Sequence, residues 1–354
     1  MNVIKILPVT DIATECHNPM LSEYRKVCLK GKVINIKVPC NIVVFVTDKC
    51  PYNCSWCINR ENKLKEYKNE IHQEQCLLTL FDLLAELEKA NKAIRNENFE
   101  ITITGGEPTM EILQFVNILQ AIDMYKIPIR TVSTTGHYLF ETVNAVPLYQ
   151  HMISHGAVNN VNISRHAIDS KENSEIFGVK KEPLSIEQIE MLSDVFRLNG
   201  GELRVSANIN AHETYGIHTW NDIKRFMRSI KARSFIFRDL VNSDSKYFDS
   251  IYESIKECSK PVDEVSNSSI TIESFYNYTI DHTPSLIKVY HPNRMIDCPN
   301  LYNTLFDTIR VTDCINDENP VYDLLVFRNG KLYTGFNPNK SSLLIDFTDD
   351  NIRR

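Results

Sequence analysis

Short apolar runs alternate with stretches of helical periodicity through the middle of the chain. Six runs rich in β-branched and aromatic residues predict strands, at 42–46, 99–103, 129–132, 158–163, 203–209 and 235–237. Between them, apolar residues recur every three or four positions and predict helices, including one near 139–153. This alternation is typical of parallel β/α units in an α/β fold. Because the strands are apolar throughout, we expect helices on both faces of a barrel or a doubly wound sheet.

The β/α rhythm ends near residue 241. The polar segment 242–270 predicts helix plus loop, and the apolar run 324–327 followed by Asn329-Gly330 predicts a β-hairpin. We therefore divide the chain into an N-terminal extension (1–40), a β/α core (41–241) and a C-terminal α+β region (242–354) that caps the core and contributes to the substrate site.

Composition narrows the function classes. The chain has 354 residues, of which 43% are hydrophobic and 24% charged, as in a globular protein. Its net charge of −6 argues against general nucleic-acid binding. The sequence contains no run of 18 apolar residues, so no membrane span is predicted. Pro8, Asp11 and Glu15 interrupt the apolar start too early for a signal peptide. These features predict a cytoplasmic protein that has no membrane partner.

Three of the ten cysteines stand together directly after the first predicted strand. They are Cys50, Cys54 and Cys57, in a Cys-x3-Cys-x2-Cys pattern. Three thiolates suit a soft metal or an iron–sulfur cluster. A structural zinc site needs a fourth ligand, and the nearest histidine, His72, is poorly spaced for that role. We therefore predict a [4Fe–4S] cluster with one open iron, the alternative being three thiols with or without zinc.

Other polar motifs follow the next strands. The second strand ends in Gly105-Gly106-Glu107-Pro108, whose glycines allow close approach of the backbone to a ligand, although alone it is also an ordinary turn before a helix. The third strand ends in Thr134-Thr135-Gly136, and the fourth in Ser164-Arg165-His166. Because ligands gather at the carboxyl ends of parallel strands, these motifs are candidates for one site.

The cysteine pattern, the aromatic Trp56 before its last cysteine, and the Gly-Gly-Glu-Pro motif one β/α unit later resemble the radical S-adenosylmethionine (SAM) superfamily. The resemblance covers about residues 41–241 and implies a partial (β/α)6 TIM-like barrel. It implies two cofactors, a [4Fe–4S] cluster and SAM, and an electron donor of the flavodoxin or ferredoxin type. In that family the open iron chelates SAM, and reductive cleavage yields a 5′-deoxyadenosyl radical that abstracts hydrogen from a substrate.

The resemblance also assigns site residues. The cofactor-binding candidates are Trp56, Gly105, Gly106, Glu107, Pro108, Thr135, Ser164, Ser206, Asn208 and Ile236. The candidates for the catalytic and substrate site are Arg165, His166 and Arg238. The chain is closest to the GTP 3′,8-cyclase-like branch, but it lacks the Asn expected before Gly136 and the Cys-x2-Cys-x13-Cys pattern of that branch.

Three functions remain open at this stage. The first is a radical SAM enzyme acting on a small polar substrate, and arginines at the strand ends favour an anionic one. The second is a radical SAM enzyme that modifies a peptide or protein, although residues 1–40 are short for a peptide-recognition domain. The third is a non-catalytic iron–sulfur or zinc protein, which needs no Gly-Gly-Glu-Pro motif. The tail cysteines Cys258, Cys298 and Cys314 have gaps that do not indicate a second cluster.

Overall fold

The computed structural model of the protein describes most of residues 23–238 and shorter stretches outside them. The described residues are 4–6, 23–57, 75–90, 99–127, 129–155, 158, 160–230, 232, 234–238, 247, 250–251, 254, 259–261, 268–270, 279–283, 286–290, 321–327, 329–334 and 343–347. The chain divides into two compact units. The first unit comprises residues 1–16, 52–56 and 162–309, and the second comprises residues 17–51, 57–161 and 310–354.

Strands and helices alternate through the core. The strands are β1 (Ile4–Ile6), β2 (Glu23–Leu29), β3 (Lys32–Phe45), β4 (Phe99–Thr104), β5 (Ile129–Thr134), β6 (Thr142–Val143), β7 (Val146–Pro147), β8 (Asn160–Ser164), β9 (Glu202–Asn208), β10 (Ser234–Arg238), β11 (Ser259–Pro261), β12 (Ser268–Ile270), β13 (Thr279–Thr283), β14 (Leu286–Tyr290), β15 (Val321–Val326), β16 (Lys331–Tyr333) and β17 (Leu343–Asp346). The helices are α1 (Gln75–Ala90), α2 (Ile112–Tyr125), α3 (Leu148–Ser154), α4 (Ser170–Phe177), α5 (Ile186–Leu198) and α6 (Trp220–Ser229).

In the second unit, parallel strands carry the motifs found in the sequence. Strand β4 pairs in parallel with β3 and β5. Strand β15 also runs parallel to β3, and β16 and β17 continue from it as an antiparallel meander. Strand β2 pairs antiparallel with the first part of β3. Because β3, β4 and β5 run in one direction, the loops that follow them leave from the same edge of the sheet.

In the first unit, β9 and β10 are parallel. Strand β14 pairs antiparallel with β10, and β13 pairs antiparallel with β14. The N-terminal strand β1 joins this unit, since it pairs with β12 and β13. Strand β8 contributes residues to both units, with the division falling after Val161.

Local sequence accounts for where the helices of the first unit begin and end. Ser185 and Thr219 are the N-caps of α5 and α6, and each takes part in a reciprocal capping box with the side chain three residues later. Asp169 caps α4 by accepting hydrogen bonds from two backbone amides. Gly178 ends that helix with φ of 68°, a left-handed conformation that glycine adopts without strain.

The fold is mixed α/β with mostly parallel core strands, as the sequence predicted. All six predicted strands are present, with ends within a few residues of the prediction except that β3 begins earlier, at Lys32, and crosses the predicted boundary after residue 40. The predicted helix over 139–153 is wrong in its first half. A short hairpin, β6–β7, precedes α3, because Asn144 and Ala145 adopt φ of 53° and 64° and form a tight turn.

The C-terminal region is richer in strands than predicted. Segment 242–270 contains helical residues, as expected, and also strands β11 and β12. The predicted hairpin is present as β15–β16 with its turn at Asn329 and Gly330. In the described residues, no helix is long and apolar enough to cross a membrane.

Candidate active site

The cysteine loop begins directly after β3. Cys50 is exposed, whereas Cys54 and Cys57 are half-buried, and the described cysteines form no disulfide. Three thiols within eight residues are a donor set that fits an iron–sulfur cluster. Among the described residues, no three His, Cys, Asp or Glu side chains lie together as a ready-made metal site. The three thiols therefore fit a cluster by their donor chemistry.

The turn after β4 is joined to the start of this loop by backbone hydrogen bonds. The Gly106 amide donates to the Thr47 carbonyl at 2.5 Å, and the Glu107 amide donates to the Lys49 carbonyl at 2.8 Å. A Cβ atom on Gly106 would lie 2.2 Å from the Lys49 carbonyl oxygen. Glycine is required here because the two backbones approach so closely. Because Lys49 directly precedes Cys50, the hydrogen bond between Glu107 and Lys49 holds the start of the cysteine motif beside the turn.

Glu107 holds the ends of β4 and β5 together. Its buried carboxylate accepts hydrogen bonds from the Thr109 hydroxyl at 2.5 Å and the Thr109 amide at 3.2 Å. It also accepts from the Thr135 amide at 2.8 Å, the Thr135 hydroxyl at 2.6 Å, and the Thr134 hydroxyl. These five donors satisfy the charge of the buried carboxylate. Glu107, Pro108 and Thr135 therefore shape the turn.

Tyr138 is a site residue that sequence reasoning missed. It lies half-buried in the loop after β5. Burial raises the pKa of its phenol, and the charges of Glu107, Cys50 and Glu141 add to that effect. The phenol is therefore close enough to Cys50 and Glu107 to sense both charges. The sequence feature that indicates it is its position two residues after Gly136, in the loop that follows the third predicted strand.

The part of the cysteine loop that belongs to the first unit packs on the end of α4. The Asn53 amide donates to the Phe177 carbonyl at 2.9 Å, and the rings of Tyr52 and Phe177 lie 5.1 Å apart. Trp56 contacts the His166 ring edge-on, with centroids 5.2 Å apart. Trp56 thus lies against an apolar wall, next to the residue that carries the last thiol of the motif.

The guanidinium of Arg165 forms hydrogen bonds with other groups of the protein. The side chain is buried, and its guanidinium donates to the Glu182 carboxylate at 2.7 Å. It also donates to the Leu184 carbonyl at 2.8 Å and the Ile168 carbonyl at 2.7 Å. Burial lowers the pKa of Arg165, and the charge of Glu182 opposes that shift. The arrangement ties the loop between α4 and α5 to the end of β8.

His166 is buried and neutral. Its Nδ1 accepts a hydrogen bond from the Asn208 amide at 3.0 Å, so the ring proton is on Nε2. Burial, together with the nearby charge of Arg165, lowers the pKa of His166 to about 3. The ring packs between Trp56 and Phe177, with centroids 5.2 and 5.0 Å away. In this position His166 supports the Trp56 segment of the cysteine loop.

The remaining predicted residues lie at the carboxyl ends of the first unit's strands. Ser164 ends β8, Ser206 is buried on β9 and opposite Ile236 of β10, and Asn208 is opposite Arg238. The Arg165 amide donates to the Ser206 carbonyl at 2.9 Å. The structure thus brings these predicted residues onto neighbouring strand ends within one unit.

Comparisons with known proteins bear on this site. Residues 38–176 match the family model described as a 4Fe-4S single cluster domain. The chain is similar to the solved structure of TYW1 with a lysine-pyruvate adduct bound, at 15% identity and a TM-score of 0.40, over 73% of this chain and 82% of that chain. It is also similar to the radical S-adenosylmethionine methyltransferase TsrM from Kitasatospora setae, bound to tryptophan substrate and a SAM analog (aza-SAM), at 14% identity and a TM-score of 0.34. That likeness covers 76% of this chain and 52% of that chain. No curated protein sequence matches.

The family match includes all three cysteines and the glycine turn. Together with the cysteine spacing and the position of the loop after a parallel strand, it supports a single [4Fe–4S] cluster on this loop. Of the two predicted cofactors, the [4Fe–4S] cluster is the one that the family match describes.

Proposed function

We propose that the protein uses a [4Fe–4S] cluster on Cys50, Cys54 and Cys57 to cleave SAM reductively, and that the resulting 5′-deoxyadenosyl radical abstracts hydrogen from a small polar substrate. The observation that carries the proposal is the junction of two motifs. The loop that starts the cysteine motif is joined to the Gly-Gly-Glu turn by two backbone hydrogen bonds. A cluster-binding loop alone needs no such partner, whereas a loop that presents a cluster to SAM requires a second surface beside it.

The protein's own residues would supply binding, orientation and shielding. The turn at Gly105 and Gly106 offers backbone groups to the polar end of SAM, and Glu107 keeps that turn in place through its five hydrogen bonds. Trp56 and His166 form an apolar wall that would limit the access of water to a reactive intermediate. A neutral His166 suits that role, since it adds no charge to the wall.

Reduction of the cluster needs an external electron source. We infer a flavodoxin or ferredoxin type of donor, as the resemblance of the cysteine and Gly-Gly-Glu-Pro motifs to the radical SAM superfamily implies. A reduced cluster with exposed thiolate ligands is also best maintained in a reducing compartment, which favours the cytoplasm.

The proposal is tested by loading the purified protein with iron and sulfide under anaerobic conditions, then adding dithionite and SAM. We expect broad visible absorption from the cluster and formation of 5′-deoxyadenosine. Cys54→Ala should lose both, since two thiolates hold such a cluster poorly. Cys28→Ala is the matched control, because Cys28 is an exposed cysteine outside the motif and should retain both signals.

Three outcomes would contradict the proposal. Wild-type protein that binds a cluster but forms no 5′-deoxyadenosine would be an electron carrier. Cys54→Ala protein that still cleaves SAM would show that the cluster is held elsewhere. Zinc binding without iron–sulfur absorption would identify the loop as a zinc site.

A further inference from the structure

Helix α6 covers one of the two faces of strand β10. The rings of Phe235 and Phe237 pack on Phe226 of α6, with centroids 6.2 and 5.9 Å away. Side chains alternate between the two faces of a strand. Ser234, Ile236 and Arg238 therefore project from the face opposite α6.

The neighbouring strand β9 contributes to the same face. The parallel register pairs Ser234 with Arg204 and Arg238 with Asn208. The Ser234 hydroxyl donates a hydrogen bond to the Glu202 carboxylate, which places Glu202 on the face that carries Ser234. By alternation, Arg204 and Ser206 lie on that face as well. Two arginines thus project from adjacent strands on one side of the sheet.

Arg204 is buried without a full set of partners. It is 8% exposed, and its Nε donor has no hydrogen-bond acceptor among the described residues. No ion pair of Arg204 with a described carboxylate is present, although Glu202 stands two residues away on the same face. A buried guanidinium with an unused donor is costly unless an acceptor arrives from outside the protein. The buried amide oxygen of Asn162, on β8, is also without a partner in the described part of the chain.

Arg238 projects from the same face of the sheet as Arg204. Its side chain is exposed, yet surrounding protein atoms lower its pKa by desolvation, and the like charge of Arg204 lowers it further. Arg204 is opposite Ser234, and Arg238 lies four residues further along β10, about 13 Å along the strand direction. Ser206 lies between these two levels on the same face, within reach of both long side chains.

We propose that Arg204 and Arg238, with the Ser206 hydroxyl between them, form an anion subsite that binds a carboxylate or phosphate group of the substrate. An anion placed there would accept hydrogen bonds from the two guanidinium groups, including the unused Nε donor of Arg204, and would relieve the repulsion between two like charges. The nearby carboxylate of Glu202 accepts a hydrogen bond from the Ser234 hydroxyl, at the end of β9 away from Asn208. This inference rests on the proposed function, since it names the substrate class of that site.

The test measures binding of two probes, inorganic phosphate and succinate, to the full-length cluster-loaded protein by calorimetry at constant ionic strength. We expect at least one probe to bind the wild type at least tenfold more tightly than it binds Arg204→Gln or Arg238→Gln. Preference for phosphate or for succinate identifies which anion the subsite favours. Arg204→Lys keeps the charge and should recover part of the affinity. Arg197→Gln is the matched control, because Arg197 is an exposed arginine paired with Asp194 on α5.

Equal binding of both probes to the wild type and the two glutamine variants would overturn the proposal. If Arg204→Gln does not give the wild-type circular dichroism spectrum, the comparison of Arg238→Gln with Arg197→Gln decides the matter. Competition between phosphate and SAM for the wild type would also overturn it, because the subsite would then belong to the cofactor. Protein that binds a probe through both arginines but forms no 5′-deoxyadenosine would refute the proposed function alone.

Discussion

Arg165 and Arg238 have the same side chain but different surroundings. From the sequence, both were candidates for the substrate site. In the structure, Arg165 donates to Glu182 and to two carbonyl groups, whereas Arg238 has no ion pair with a described residue and shares its face with Arg204. The difference comes from a glutamate 17 residues away, on a loop whose path has no local pattern. Residue type and strand position therefore predicted where charges lie, while the tertiary partner determined which charge is available.

At the residue scale, burial of a neutral His166 makes stability depend on pH. Its pKa is lowered to about 3 in the folded protein, against about 6.5 in the unfolded chain. The unfolded state therefore binds more protons between pH 3 and 6.5, so the stabilisation is complete above pH 6.5 and is lost as the pH falls below it. Each pH unit below about 6.5 costs about 1.4 kcal/mol.

Urea unfolding of wild type and His166→Gln at pH 7 and pH 5 measures this effect. The wild type should lose about 2 kcal/mol more than the variant over that range, because glutamine does not titrate. His137→Gln, which removes an exposed imidazole, is the control and should behave like the wild type. An identical loss in wild type and His166→Gln would show that His166 is not held neutral.

At the scale of elements, the close contact between the turn after β4 and the loop after β3 depends on Gly106. In Gly106→Ala, the new Cβ would lie 2.2 Å from the Lys49 carbonyl oxygen, so the backbones must separate and break the hydrogen bonds of Gly106 and Glu107. We expect SAM affinity, measured by equilibrium dialysis, to fall at least tenfold. Gly200→Ala tests backbone strain without a clash, since its φ is 79° and no atom lies within 4 Å of its Cβ position. Equal SAM affinity in both variants would contradict this role for the turn.

Sequence patterns predicted the strands well and one helix poorly, for physical reasons. Buried β-branched runs have few alternatives to a strand, and all six predicted runs are strands. Around residues 139–153 the apolar spacing was helical, but Asn144 and Ala145 adopt the left-handed region and reverse the chain. This two-residue turn outweighs the periodicity of a short helix there. The glycine motif could be found in the sequence, but its steric reason could not, because the backbone that requires Gly106 belongs to Lys49, 57 residues earlier.

At the scale of the whole molecule, the position of the C-terminal hairpin was not predictable from local pattern. Asn329-Gly330 predicted the hairpin itself. Its pairing with β3 joins segments about 280 residues apart, as in the contact between the amide of Asn41 and Asp323 at 2.8 Å. The C-terminal strands therefore belong to the second unit and flank the strand that leads into the cysteine loop.

The last prediction follows from that pairing. Phe327, just after β15, is 9% exposed; its ring stacks on Phe45 at 4.3 Å and meets Tyr333 edge-on at 5.2 Å. Phe327→Ala would leave a cavity against the last residue of β3 and should lower the free energy of unfolding by about 3 to 5 kcal/mol. Leu113→Ala, at a position 69% exposed on α2, should change it by about 0.5 kcal/mol or less. Urea unfolding of both variants checks this. If Phe327→Ala costs no more than Leu113→Ala, the C-terminal strands do not pack on β3; if it costs the expected amount, they stabilise the strand from which the cysteine loop begins.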